Sequence, residues 1–227
     1  MADERYQQGD SLFTEADLVH LESVGQVLSR QTGHVFFRED EETDFALLIK
    51  KGFVKVAIGE PPRLKFARGP NEIVGEMAAL RKKPRSASVI AWGEVEVLHI
   101  SASAWLDFLY DTPRAMHALL YSTDERLDQA TRRTVDYSEL AAGQKLAKAL
   151  VELADIGLGW RTSDGMTIRH LSQDDLASYI GLTSASIRKI VRPFKDEKII
   201  EIGRETVTFR NLQALKAIAR GDRPVSR

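Results

Sequence analysis

The sequence predicts an α+β protein in three parts: an antiparallel β-barrel or jelly roll, one long helix, and a small C-terminal domain built on a helix-turn-helix with a hairpin wing. Three observations carry this. Between Arg30 and Ile100, apolar residues fall in short strand-length runs separated by Gly- and Pro-containing turns. From Pro113, apolar positions recur at three- and four-residue spacing over about 25 residues. Between Leu171 and Val191, two short amphipathic helices flank Gly181.

Composition sets the outer bounds. At 227 residues the chain suits one large domain or two small ones. No apolar run approaches the ~20 residues a membrane span needs. The start, Met1-Ala2-Asp3-Glu4-Arg5, has no apolar signal segment, so a cytoplasmic protein is expected. The absence of cysteine excludes disulfides, iron–sulfur ligation by thiolates and a thiolate-ligated haem. The five histidines stand singly without ligand spacing, so no metal site is expected. The net charge of −1 hides an asymmetry: residues 143–227 hold 15 Lys and Arg against 10 Asp and Glu, leaving 17 against 23 in the rest. An acidic N-terminal part joined to a basic C-terminal one fits a nucleic-acid-binding tail.

Taken in order, residues 1–11 are polar, and 14–28 reads as a helix capped by Thr14, with Leu18, Leu21, Val24 and Leu28 on one face. Strand candidates are His34-Val35-Phe36-Phe37, Phe45-Ala46-Leu47-Leu48-Ile49 and Phe53-Val54-Lys55-Val56-Ala57-Ile58. Turns are expected at Gly52, Gly59-Glu60-Pro61-Pro62, Gly69-Pro70-Asn71 and Trp92-Gly93. A short helix spans 103–110, and Pro113 suits the first turn of the long one. There Met116, Leu119, Leu120, Thr123, Leu127, Ala130, Thr134 and Tyr137 form a narrow seam between charged faces, the pattern of a two-stranded coiled coil. Another amphipathic helix fills 139–154, with Ser138 as its cap and a hinge at Tyr137-Ser138-Glu139. A polar ribbon over 157–169 turns at Ser163-Asp164-Gly165. The expected domains are 1–112, the helix 113–138, and 139–222.

Within the strand-rich part lies Gly75-Glu76-Met77-Ala78-Ala79-Leu80, a basic turn Arg81-Lys82-Lys83, and Pro84-Arg85-Ser86-Ala87-Ser88. Gly75 permits close backbone approach, Arg85 can grip phosphate oxygens, Ser86 adds a donor and Glu76 can accept from a ribose hydroxyl. The stretch reads as a cradle for a sugar phosphate.

The second informative stretch starts at Leu171. Ser172 followed by Asp175 makes a capping-box start, Gly181 gives the tight turn and Thr183 caps the next helix. Leu176, Ile180, Leu182, Ile187 and Ile190 supply the shared core. In such a helix-turn-helix the second helix enters the DNA major groove by its N-terminal end. That end carries Thr183, Ser184, Ala185 and Ser186, then Arg188 and Lys189; Arg188 or Lys189 can donate to guanine, and the Ala185 methyl can touch thymine. Gln173, Arg192 and Lys195 suit phosphates. Residues 199–209 form a wing offering Arg204 at its tip, and a helix follows from 211 to about 219. Pro193 is expected to kink or end the recognition helix.

The run G-E-M-A-A-L-x3-P-R-S-A-S resembles the phosphate-binding cassette of cyclic-nucleotide-binding domains. With the helix-turn-helix downstream, the chain resembles the cyclic-AMP receptor (CRP/FNR) family of transcription regulators over about residues 10–220. The resemblance implies a homodimer on double-stranded DNA, RNA polymerase as a further partner, and a cyclic nucleotide effector, cyclic AMP or cyclic GMP. The implied effector set is Gly75, Glu76, Met77, Arg85, Ser86 and Arg126, with the base pair of contacts falling on Gln129-Ala130 or, one residue on, Ala130-Thr131. Family recognition helices commonly read S/T-R-E-x-V-x-R, whereas Ser184 and Ala185 stand here in place of Arg and Glu, so the familiar TGTGA-type half-site does not transfer. Two further readings compete: a CRP-like DNA-binding protein that is ligand-independent or senses another effector, and an enzyme or kinase regulatory subunit. Against the last, the sequence has no nucleophile–base pair, metal cluster or Walker-type loop.

Overall fold

The computed structural model describes residues 12–162 and 165–224. The polar segment 1–11 and the Ser163-Asp164 part of the expected turn lie outside these. The chain divides into two compact units, Met1–Val54 with Arg68–Ala130 and Lys55–Ala67 with Thr131–Arg227.

In the first unit, α1 (Glu15–Val24) begins at a full capping box between Thr14 and Asp17. It stops four residues before the expected end, because Gly25 turns the chain into β1 (Gln26–Arg30) and Leu28 pairs across from Val97 instead of extending the helix. Then come β2 (Val35–Phe37), β3 (Ala46–Ile58), β4 (Arg63–Arg68), β5 (Ile73–Val74), α2 (Glu76–Arg81) and β6 (Ser88–Ile100), of which β3 from Lys55 on and β4 up to Ala67 are counted in the second unit. The strands make one six-stranded sheet of order β1-β6-β3-β4, with β2 on β6 and β5 on β3. The described pairings form an open path, a looser version of the expected barrel. Two expected turns are absent. Gly52 lies inside β3 at φ +77°, where an added Cβ would sit 2.2 Å from the Glu94 carbonyl oxygen, and Gly93 likewise lies inside β6. Both glycines shape long strands rather than ending them.

Ser101 caps α3 (Ala102–Asp111), and α4 runs without a break over Pro113–Glu139. The core joins Phe13, Trp105 and Phe108, whose rings meet at 5.8–5.9 Å, to Leu21, Leu48, Ile73, Leu98, Ala115 and Leu119. The seam expected on α4 resolves into two faces. Ala115, Leu119 and Tyr137 are buried, whereas Leu120 and Leu127 keep 70% and 67% exposure.

In the second unit, Ser138 lies within α4, its hydroxyl bonded to the Val135 carbonyl, so the helix continues past the expected hinge. The break falls at Leu140-Ala141, and α5 (Ala142–Leu153) starts with the Gln144 side chain accepting from the Ala141 N–H. After a π turn at Ala154–Leu158 come β7 (Trp160–Thr162), β8 (Gly165–Arg169), α6 (Gln173–Tyr179), α7 (Ser184–Asp196), β9 (Ile200–Ile202), β10 (Thr206–Phe209) and α8 (Leu212–Arg220). The wing hairpin β9-β10 is the edge of a four-stranded antiparallel sheet, β7-β8-β10-β9. Leu146, Leu150, Leu176, Ile187, Phe194, Val207 and Leu215 fill the core between helices and sheet. Pro193 does not end α7. The residue whose carbonyl loses its partner, Lys189, is on the exposed face, and Phe194 beyond it is buried and anchors the last turn.

Among the described residues no helix is long and apolar enough to cross a membrane, and no cluster of metal-ligating side chains occurs.

Candidate effector pocket and nucleic-acid surface

The cassette is built around a buried guanidinium. Arg85 keeps 2% exposure. Its Nε donates to Thr43 Oγ1 at 2.8 Å and its Nη1 to the Gly75 carbonyl at 2.8 Å. The guanidinium carbon lies 3.9 Å from the centre of the Phe37 ring and 4.5 Å from that of Phe45. Gly75 makes this approach possible: at φ +78°, an added Cβ would lie 2.5 Å from Arg85 Nη1. The loop before β3 closes over the same side chain, with Arg85 N–H donating to the Glu41 carbonyl and Asp40 N–H to that of Arg85. Buried Ser88 accepts from Glu39 N–H at 2.9 Å and fixes the loop from below. Burial lowers the Arg85 pKa, opposed by the carboxylates of Glu41, Asp44 and Glu76, and the side chain stays cationic. Among the described residues its Nη2 has no hydrogen-bond partner.

Glu76, at the first position of α2, is buried and accepts from Arg126 Nη1 at 3.1 Å. Arg126 Nη2 also donates to the Ile73 carbonyl at 2.9 Å, tying α4 to the start of the cassette. Of the other expected effector contacts, Met77 is half-buried and Ser86 exposed. Ala130, one turn after Arg126 on the same face of α4, is half-buried, while Gln129 and Thr131 are exposed. Thus Gly75, Glu76, Arg85 and Arg126 meet at one place.

An anion offered to this site finds one buried N–H edge without a partner, a carboxylate for hydroxyl groups and a second guanidinium beside it. Such a set fits a sugar phosphate. Phe37, Phe45, Thr43 and Glu41 contact Arg85 and lie outside the expected set. Their only signal in the sequence is aromatic strand residues and a polar loop, distant in sequence from Arg85.

In the second unit the Ser172 hydroxyl accepts from Asp175 N–H at 3.0 Å, and Asp175 Oδ2 accepts in return from the Ser172 N–H and hydroxyl and from Lys55 Nζ at 2.8 Å. Gly181 takes φ +71° at the turn, and Thr183 Oγ1 accepts from Ser186 N–H to cap α7. Ala185, Arg188, Lys189, Arg192 and Lys195 are exposed along α7, Ser184 and Ser186 are half-buried, and Gln173 is half-buried at the start of α6. Arg204 is exposed at the wing tip. Ser184 Oγ donates to Asp174 Oδ1, a carboxylate absent from the expected set. The tail of α4 is fixed by Arg133, which donates to the carbonyls of Lys65 and Tyr179 and stacks 3.7 Å over the Tyr179 ring, and by Tyr137, whose hydroxyl donates to Glu152 at 2.9 Å.

Residues 27–111 match the family model of the cyclic nucleotide-binding domain, and residues 144–218 that of the Crp-like helix-turn-helix domain. The cyclic AMP receptor protein of Thermus thermophilus is 27% identical over 192 residues, covering 83% of this chain and 86% of that protein. The CRP-like cAMP-activated global transcriptional regulator of Mycobacterium tuberculosis is 24% identical over 192 residues, covering 83% and 85%. The chain belongs to the CRP/FNR family of transcription regulators.

Among solved structures, the c-di-GMP-responsive global regulator CLP of Xanthomonas campestris shares the fold, with a TM-score of 0.74 at 17% identity over 86% of this chain and 99% of that one. This CRP/FNR protein is a DNA-binding transcription regulator that carries a cyclic nucleotide-binding domain.

Proposed function

We propose that this CRP/FNR protein is a homodimeric, sequence-specific regulator whose grip on DNA is set by a cyclic nucleotide, with cyclic AMP the first candidate and cyclic GMP the second. The observation that carries the reading is the unpartnered Nη2 of buried Arg85, beside Glu76, in a cradle that a side chain at position 75 would fill. The cyclic phosphate accepts from Arg85, a ribose hydroxyl donates to Glu76, and the base lies toward Ala130. Two relatives named as cyclic AMP-responsive support the ligand class. The exposed Leu120 and Leu127 on α4 support a second copy as the partner of that helix. Ligand bound at Glu76 acts on Arg126, and through it on the helix whose tail holds Tyr179 of α6.

A second reading has its own observation. Glu76 is already engaged by Arg126, two of the three Arg85 nitrogens are engaged by Thr43 and Gly75, and Ala130 offers a base no hydrogen bond. These contacts favour a regulator that works without nucleotide or with a different effector. Calorimetric titration with cyclic AMP and cyclic GMP, with Arg85→Ala as control, separates the two. Heat that disappears in the variant supports the nucleotide sensor; no heat from either ligand overturns it and leaves the second reading.

A further inference from the structure

The Asp174–Ser184 pair gives the first turn of the recognition helix an unusual chemistry. Ser184 is the first residue of α7, the end that meets base edges in a helix-turn-helix. Its single hydroxyl proton is donated to Asp174 Oδ1 on the neighbouring helix α6. A serine hydroxyl has one proton and two lone pairs, so the base-facing side of Ser184 is left with acceptors only. Asp174 itself is exposed, sits in the first turn of α6 and adds a carboxylate, which also only accepts. The adjacent carboxylate, Asp175, is occupied inward by Ser172 and Lys55 and does not share this role. Ala185 adds a methyl and no polar atom. Cationic donors begin one turn later, at exposed Arg188 and Lys189.

A pair of acceptors needs a donor opposite it. In the major groove guanine shows two acceptors and thymine an acceptor with a methyl. Adenine shows an amino donor beside the N7 acceptor, which repels a carboxylate. Cytosine shows its N4 amino donor alone. We infer that Asp174, with Ser184, is a specificity-determining residue that selects cytosine in each half-site. Arg188 lies four residues after Ser184, roughly 6 Å along the helix at about 1.5 Å per residue. The guanine it reads therefore lies within about two base pairs of that cytosine, at about 3.4 Å per step. This rests on the DNA-binding reading of α7 and deepens it.

The test is selection of binding sites from a randomised duplex library by the full chain, without nucleotide and with saturating cyclic AMP or cyclic GMP. Wild type, Asp174→Asn and Ser184→Ala are compared. Wild type is expected to enrich cytosine at one position of each half-site. Asp174→Asn, isosteric but carrying a donor, is expected to lose about tenfold of that preference at this position alone. Ser184→Ala is expected to weaken the same position less. A wild-type motif without that cytosine overturns the inference. So does an unchanged motif with uniformly weaker binding in Asp174→Asn, which would make Asp174 a support for the helix start and leave the DNA-binding reading standing. No enriched sequence from wild type under any of the three conditions would overturn the DNA-binding reading and this inference together.

Discussion

Arg85 and Arg188 are the same side chain put to opposite use. Arg85 is sealed in the first unit with two nitrogens bonded, the Phe37 and Phe45 rings packed against its guanidinium, and a third, buried nitrogen without a hydrogen-bond partner among the described residues. Arg188 stands exposed on α7 in the second unit, beside Lys189 and one turn from Arg192. On the proposed reading, a compact ligand recognised whole meets a group whose rotamers were fixed during folding, so little ordering entropy is lost on binding. A long polyanion is met by mobile cations that neutralise many phosphates weakly and read a few base edges. On that reading, removing the buried cation costs stability and ligand together, whereas removing the exposed one costs recognition alone.

The largest effect is expected from Arg85→Ala. It strips a buried cation from beside two rings and leaves the carboxylates of Glu41, Asp44 and Glu76 without it, at a cost of about 3 kcal/mol. In a chain of this size that is a fall in Tm of roughly 6–12 °C by scanning calorimetry. An unchanged Tm would break the contrast, since Arg85 would then act on ligand only. Gly75→Ala sharpens it. The new methyl meets a positive φ and the Arg85 guanidinium, so about 1–3 kcal/mol of stability should go with the whole side chain still present. Arg188→Ala is expected to leave the unfolding free energy within about 0.5 kcal/mol of wild type. In competition binding it should relax discrimination at one base pair by about 1–3 kcal/mol. Uniform weakening across sequences would instead make it a phosphate contact.

What could be read from the sequence was what local spacing encodes. The caps at Thr14, Ser172 and Thr183 act over three residues, and all three form as the spacing requires. The cassette and the helix-turn-helix were legible for the same reason. The rest depends on distance in the chain. Thr43 lies 42 residues from Arg85, and Arg126 lies 50 residues from Glu76, so no local pattern announces either contact. Gly52 was ambiguous for a different cause: a glycine needed for a turn and one needed inside a twisted strand leave the same mark. Ser138 has the composition of a cap but spends its hydroxyl on its own helix. Asp174 carries no local signal, because a carboxylate repels phosphates and only the fold brings the Ser184 hydroxyl to face it.

The smallest expected effect concerns a buried charge in the second unit, where the contrast between the two arginines predicts pH dependence. Tyr137 donates to Glu152, with Arg133 and Lys148 stacked near the same ring. Burial raises the Glu152 carboxyl above its ordinary value, against the pull of Arg133, the Tyr137 hydrogen bond and Lys148, with Asp136 adding to the rise. Burial and Glu152 likewise push the Tyr137 hydroxyl well up, so it stays a donor. Between the ordinary carboxylate pKa and the raised one, the folded chain holds a proton that the unfolded chain has lost. Stability should therefore rise as pH falls from neutral through that window and decline again as pH increases. Glu152→Gln keeps an acceptor for Tyr137 and removes the titration, so its denaturation midpoint should vary less with pH across the same window. Chemical denaturation at a series of mildly acidic pH values compares the two. Parallel profiles would mean that solvent already reaches Glu152, and that the second unit keeps its charges wet even where its helices meet.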